Sequence, residues 1–252
     1  MSGSRGRRVV LPLAVFVALV LVWEAVVMLL RVHPIVLPPP SGVAQTMAHT
    51  AGPIAFHAWH TLVTTLLGFG AAVGLGLLLG FAIGSSATVN DALYPLLVGF
   101  NSIPKAAVVP LLVMWFGIGT VPAVLTAFLL AFFPVAVNVA VGLATLEAEL
   151  RDVLRSLGAS RWQIFRKVGV PRTMPLFFAS LKVAVSSAFV GSVISETVAS
   201  NAGIGYLMAV AASDFNTRLA FGGLAVLAAM GVLLYGVFAV IERRMTAWAY
   251  AE

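Results

Sequence analysis

Apolar residues in this chain fall in long unbroken blocks separated by short polar or charged stretches. A membrane-spanning helix needs about 20 predominantly apolar residues, because the hydrocarbon core of a bilayer is about 30 Å thick. Six blocks meet that length, at about residues 9–30, 60–84, 92–116, 121–145, 175–198 and 219–241. The first follows Arg5, Arg7 and Arg8, as the core of a signal peptide would. It is longer than such a core and no A-x-A cleavage site follows, so a retained span is expected. Pro104 and Pro110 interrupt the third block and Pro134 lies inside the fourth, each removing a backbone donor. After the first block, Pro38, Pro39 and Pro40 cannot continue a helix, and Ser41 is placed to cap a short interfacial one. The expected fold is all-α, a polytopic bundle of about six spans making one transmembrane domain over residues 1–252.

Composition removes the soluble alternative. The 252 residues are 61% hydrophobic and 10% charged, against about 25% charged in soluble domains. There is no cysteine, which excludes disulfides, thiolate metal sites and thiol nucleophiles. A net charge of +6 would suggest nucleic acid in a soluble protein, but in a membrane protein the distribution of Lys and Arg sets orientation. With the N terminus inside, the cytoplasmic pieces hold Arg5, Arg7, Arg8, Arg151, Arg155, Arg161, Arg166, Lys167, Arg172, Arg243 and Arg244, eleven of the fifteen basic residues. Six spans with both termini cytoplasmic satisfy the positive-inside rule, and an odd number does not.

The charged stretch between the fourth and fifth blocks, residues 147–172, carries the most pattern. Leu150, Val153, Leu154 and Leu157 recur at helical spacing. Gly158 is placed to end that helix and Ser160 to cap a second one through Val168. Trp162, Ile164, Phe165 and Val168 give the second helix an apolar face, and Pro171 is expected to stop it. A positive loop obeying the orientation rule explains the arginines alone. A glycine-hinged elbow with Trp162 and Phe165 among the charges also suits docking into a groove on a soluble partner.

That segment resembles the cytoplasmic EAA loop of binding-protein-dependent permeases, written E-A-A, three residues, G, nine residues, I, one residue, L-P. Gly158, Val168, Val170 and Pro171 fall in that register without a gap, while Asp152-Val153-Leu154 stands where E-A-A would. Trp23-Glu24, Leu37-Pro38-Pro39-Pro40-Ser41, Ile103-Pro104-Lys105-Ala106 through Trp115-Phe116-Gly117-Ile118-Gly119, and Gly203-Ile204-Gly205-Tyr206 resemble the nitrate/sulfonate/taurine branch, in the same order. The resemblance implies a type I ABC importer permease in a bacterial inner membrane, with two permease subunits, expected to be identical, forming the pathway. Two ATPase subunits would sit below, and a periplasmic or lipid-anchored binding protein would deliver solute from the other side. Asp152, Gly158, Ala159, Ser160, Trp162, Phe165 and Pro171 would then belong to the ATPase-coupling loop, with the short helix from Gly158 to Phe165 as its coupling helix. The implied cargo is a small anion such as a sulfonate, taurine or nitrate, or alternatively a pyrimidine vitamin precursor or an aromatic acid.

The chain has no G-x-x-x-x-G-K-[ST] loop, so any ATP is hydrolysed by a partner and no cofactor of its own is expected. His57 and His60 share a helix face without a third ligand nearby, which does not make a zinc site. Polar side chains within spans are costly in lipid. Asn101, Lys105, Asn138 and Glu196 are therefore candidates for the translocation pathway, with a structural role open for Glu196. Glu24 near the outer end of its span reads as structural, and Lys182 as snorkelling to the interface. In the second block Gly70/Gly74, Gly76/Gly80 and Gly80/Gly84 are small-xxx-small pairs suited to close packing, expected within one subunit. A stand-alone channel or secondary transporter explains the hydropathy equally well but not the elbow. A membrane-embedded enzyme needs a convergent catalytic set that the sequence does not show.

Overall fold

The computed structural model describes residues 3–144 and 153–250. Every regular element among them is helical. In chain order they are α1 (Gly3–Leu29), α2 (Pro40–His49), α3 (Ala51–Ser85), α4 (Ala87–Asn101), α5 (Lys105–Phe116) and α6 (Thr120–Ala144). After a helical turn at 153–156 come α7 (Arg161–Ile164) with a π-helical turn (Phe165–Gly169), α8 (Val170–Ala199), α9 (Ile204–Ser213), α10 (Thr217–Thr246) and a closing 3-10 turn (Ala247–Tyr250).

Helices α3, α6 and α8 form the core, and their small residues explain how they meet. A Cβ on Gly68 would stand 2.5 Å from that of Ala127, and one on Gly84 would stand 2.8 Å from that of Leu143. Gly76 and Gly80 lie between, against Val135 and Val139. Numbers rise together along both helices, so α3 and α6 run parallel. Close approach without side chains gives van der Waals contact that lipid cannot match. Gly142 lies against Thr173 and Gly191 against Thr126, so α8 is antiparallel to α6. Helix α10 returns antiparallel to α8, with Gly231 beside Phe189 and Glu242 beside Lys182. One end of the bundle therefore gathers the ends of α3, α6 and α10 with the start of α8. The opposite end gathers the starts of α3, α6 and α10 with the end of α8.

This arrangement decides how the third apolar block crosses. It forms no single span: α4 and α5 are separate helices bent by 88° at Ser102–Pro104. Pro104 has no N–H to continue the ladder and disfavours helical conformation in the residue before it. Because α3 and α6 are parallel, α4 and α5 together make the return from one end of the bundle to the other. Among the described residues five helical stretches are long and apolar enough to span, and the bent pair makes a sixth if it counts as one broken span.

Helix α3 starts at Ala51, so the second apolar block, 60–84, occupies part of a longer helix. A helix not foreseen, α9, packs between α8 and α10. Ser41 does not cap α2, whose N-cap is Pro39. Ser41 instead gives its hydroxyl and N–H to Glu24, at 2.7 and 3.0 Å, so Glu24 ties α1 to the start of α2. Pro171 does not stop the elbow helix either. The chain passes through the π turn, where Val170 N–H bonds to Phe165 O, and Pro171 lies in the first turn of α8. A missing N–H costs little in a first turn.

Candidate functional site: a hinged elbow and a buried carboxylate

The elbow lies at the end of the bundle where α6 ends and α8 begins. Its glycine carries the turn. Gly158 has φ +83°, a conformation that side-chain-bearing residues avoid. Around it Ala159 N–H donates to Leu154 O at 3.0 Å and Gly158 N–H to Arg155 O at 2.9 Å, the two bonds of a Schellman stop. The next helix starts in a capping box. Gln163 N–H donates to Ser160 Oγ at 3.2 Å, and Ser160 N–H donates to Gln163 Oε1 at 2.8 Å. Ser160 was expected to cap; Gln163 was not singled out, although S-x-x-Q is legible in the sequence.

The elbow presents apolar groups outward. Leu157 is 77% and Trp162 64% exposed, beside a cleft of about 320 Å³ lined by Leu154, Gly158, Ala159, Gln163 and Lys167 among others. Its inner face is anchored. Ile164 is buried, and Phe165 packs edge-on to Phe81 of α3 at 5.1 Å while stacking on Trp162 at 5.5 Å. Trp162 is thus joined to α3 through Phe165, and the π turn leads on into α8. Asp152, expected at the start of this loop, lies outside the described residues, as do 145–151.

The expected pathway residues do not converge on one place. Lys105 and Asn101 meet at the α4–α5 break. Lys105 Nζ donates to Phe100 O at 3.1 Å, to Asn101 Oδ1 at 3.2 Å and to Asn101 O, so it caps the carbonyl end of α4. Asn138 turns back on its own helix, its Nδ2 donating to Pro134 O at 2.8 Å. Glu196 is 1% exposed, in a cluster of its own. Thr61 Oγ1 donates to its Oε2 at 2.8 Å, and Gly205 N–H donates to the same oxygen at 3.1 Å. The hydroxyls of Thr64 and Ser192 each lie 3.3 Å from Oε1. Sequence reasoning missed Thr61, Thr64 and Ser192, which stand far from Glu196 in the chain or read as span filler.

Lys182 Nζ lies 2.5 Å from Glu242 Oε2 in α10, an ion pair the sequence reading did not single out. His57 Nδ1 accepts from Gly203 N–H at 3.1 Å, and His60 Nε2 lies 3.3 Å from Thr120 Oγ1. Among the described residues no group of three His, Cys, Asp or Glu side chains is placed to hold a metal ion.

Residues 72–247 match the family described as binding-protein-dependent transport system inner membrane component. The chain belongs to this family. It is thus a multi-pass inner-membrane permease component of an ABC importer, a transport subunit. The chain is 31% identical to the taurine transport system permease protein TauC of Escherichia coli (strain K12), over 96% of this chain and 90% of that one. It is 34% identical to the riboflavin transport system permease protein RibX of Chloroflexus aurantiacus, over 94% and 89% of the two chains. Identity to the putative aliphatic sulfonates transport permease protein SsuC of Bacillus subtilis (strain 168) is 30%, over 91% and 84%. The fold is similar to that in an inward-facing structure of the MetNI methionine ABC transporter. There the TM-score is 0.64 at 21% identity, covering 75% of this chain and 94% of that one.

Proposed function

We propose that this permease moves a small organic or inorganic anion, of the sulfonate, taurine or nitrate kind, as a pair of identical chains. Both termini face the cytoplasm of a bacterial inner membrane. A separate ATPase subunit docks on the elbow, with Trp162 and Leu157 in its groove and Gly158, Ala159 and Ser160 setting the angle. Phe165 and the π turn before Pro171 pass its closure to α3 and α8, and Asp152 extends the same contact. A periplasmic or lipid-anchored binding protein delivers solute at the opposite end. The chain itself carries out no chemistry and binds no cofactor.

The observation that carries this reading is the elbow: a hinge built from a Schellman stop and a capping box, apolar outside and wedged against two core helices inside. The cargo is favoured by the taurine and sulfonate relatives and by Lys105, a cation at the broken span where Asn101 is exposed. We assign solute contact to Asn101 and Lys105. Asn138 and Glu196 direct their bonds into the bundle. A second cargo, a heteroaromatic vitamin or its precursor, is favoured by the riboflavin relative and by the formylaminopyrimidine transport permease protein ThiX of Halalkalibacterium halodurans, 29% identical.

The test is uptake into proteoliposomes holding the complex co-isolated with the tagged chain, with labelled taurine, an alkanesulfonate, nitrate and riboflavin offered separately. ATP-dependent uptake of an anion, lowered by Lys105→Gln, supports the assignment. Uptake of riboflavin alone moves the second cargo ahead, and uptake indifferent to ATP contradicts the importer reading.

A further inference from the structure

Helix α9 begins with backbone N–H groups that have no partner within their own helix, as every helix does. Here three successive ones are received by side chains of two other helices. Gly203 N–H donates to His57 Nδ1 at 3.1 Å, Ile204 N–H to Thr61 Oγ1 at 2.8 Å, and Gly205 N–H to Glu196 Oε2 at 3.1 Å. His57 and Thr61 are one turn apart on α3, and Glu196 comes from α8. Thr61 closes the set by donating to the same Glu196 oxygen. A helix N terminus favours an anion, and this one holds a carboxylate of its own chain.

The fit leaves no room for substitution. Gly203 has φ +105°, and a Cβ there would stand 2.1 Å from the Glu196 carboxyl carbon. A Cβ on Gly205 would stand 2.6 Å from Val193 O. The Gly-Ile-Gly run is therefore shaped around Glu196, with Ile204 fully buried between the two glycines. Helix α9 packs with Ile54 and Ala58 of α3 and with Leu219 and Val226 of α10, at the opposite end of α3 from Phe81 and the elbow.

We propose that Glu196 and Thr61 form a lock that positions α9 at the mouth away from the elbow, and that solute entry depends on the lock being closed. Glu196 is then a positioning residue that does not touch solute. The link to entry rests on the importer reading above, whereas the lock itself does not.

The experiment uses the cysteine-free chain in its isolated complex. Leu207→Cys places a thiol on α9 at a buried position, and its rate of modification by a membrane-impermeant maleimide reports local opening. Thr61→Val keeps the shape and removes the hydroxyl; Thr61→Ser keeps the hydroxyl. The lock predicts that Thr61→Val, which removes both bonds of that hydroxyl within the set, speeds modification by about tenfold or more. Thr61→Ser restores protection. In uptake assays Thr61→Val raises the half-saturating concentration of solute-loaded binding protein while ATP hydrolysis without solute is unchanged. Glu196→Gln, of the same size, gives the second reading if Thr61→Val fails to assemble. Equal modification rates in wild type and the variant overturn the lock, and faster modification with unaltered uptake overturns its role in entry. Wild-type protein without ATP-driven uptake counts against the importer reading alone, since thiol accessibility still judges the lock.

Discussion

Gly76 of α3 lies so close to Val135 of α6 that a Cβ on the glycine would stand 2.9 Å from the valine Cβ. Gly80 meets Ala136 O at 2.6 Å in the same way, whereas nothing lies within 4 Å of a Cβ on Gly70 or Gly74. The small-xxx-small pairs in α3 thus divide by face: Gly76/Gly80 and Gly80/Gly84 hold the subunit together, and Gly70/Gly74 does not.

Gly76→Val and Gly80→Val are therefore expected to destabilise the protein, by about 1–3 kcal/mol each if the core accommodates the overpacking. Gly70→Val and Gly74→Val are expected to leave stability unchanged. Thermal unfolding in detergent, followed by loss of monodisperse protein, separates the two pairs.

Lys182 and Glu242 give a second test, because each sits at the edge of the bundle with its side chain at most 21% exposed. Removing one partner leaves the other charge poorly solvated. Lys182→Met is expected to cost about 2 kcal/mol, below the roughly 3–5 kcal/mol of a fully buried pair. The exchange Lys182→Glu with Glu242→Lys is expected to recover part of the loss. A double-mutant cycle of unfolding temperatures measures the coupling.

The spans were legible because lipid demands a long apolar run whatever the packing. What was not legible depends on partners far along the chain. Ser41 has the residue type and position of an N-cap, yet its hydroxyl goes to Glu24, seventeen positions away. Pro171 is a helix breaker by rule, but the chain reaches it through a π turn and it lies in the first turn of α8. Helix α9 is ten mostly apolar residues, too short to read as a span and without a polar face to mark its ends. Glu196 could be singled out as a buried carboxylate, but Thr61 and Gly205 are brought to it only by the packing of α3 and α9. In the elbow the signals are local, and there Gly158 and Ser160 act as their residue types suggest.

Ser160 and Gln163 supply the third prediction. Each satisfies the other's backbone N–H at the start of the short elbow helix, and loss of an N-cap costs about 1 kcal/mol. Ser160→Ala with Gln163→Ala is expected to weaken ATPase binding by about tenfold, the factor that some 1.4 kcal/mol represents. Overall unfolding temperature is expected to stay constant. Titration of the ATPase onto the permease in nanodiscs measures the first, and calorimetry the second.

The docking role of the elbow is tested most directly at Gly158. A Cβ there meets no atom within 4 Å, so a substitution acts through the backbone at φ +83° and not through a clash. Asn tolerates that conformation and a β-branched residue does not. The measurement is the amount of ATPase that co-isolates with the tagged chain from native membranes in mild detergent, for wild type, Gly158→Asn and Gly158→Val. The account predicts equal recovery with wild type and Gly158→Asn, and loss of most ATPase with Gly158→Val. Full recovery with Gly158→Val, or no ATPase with wild type, contradicts it.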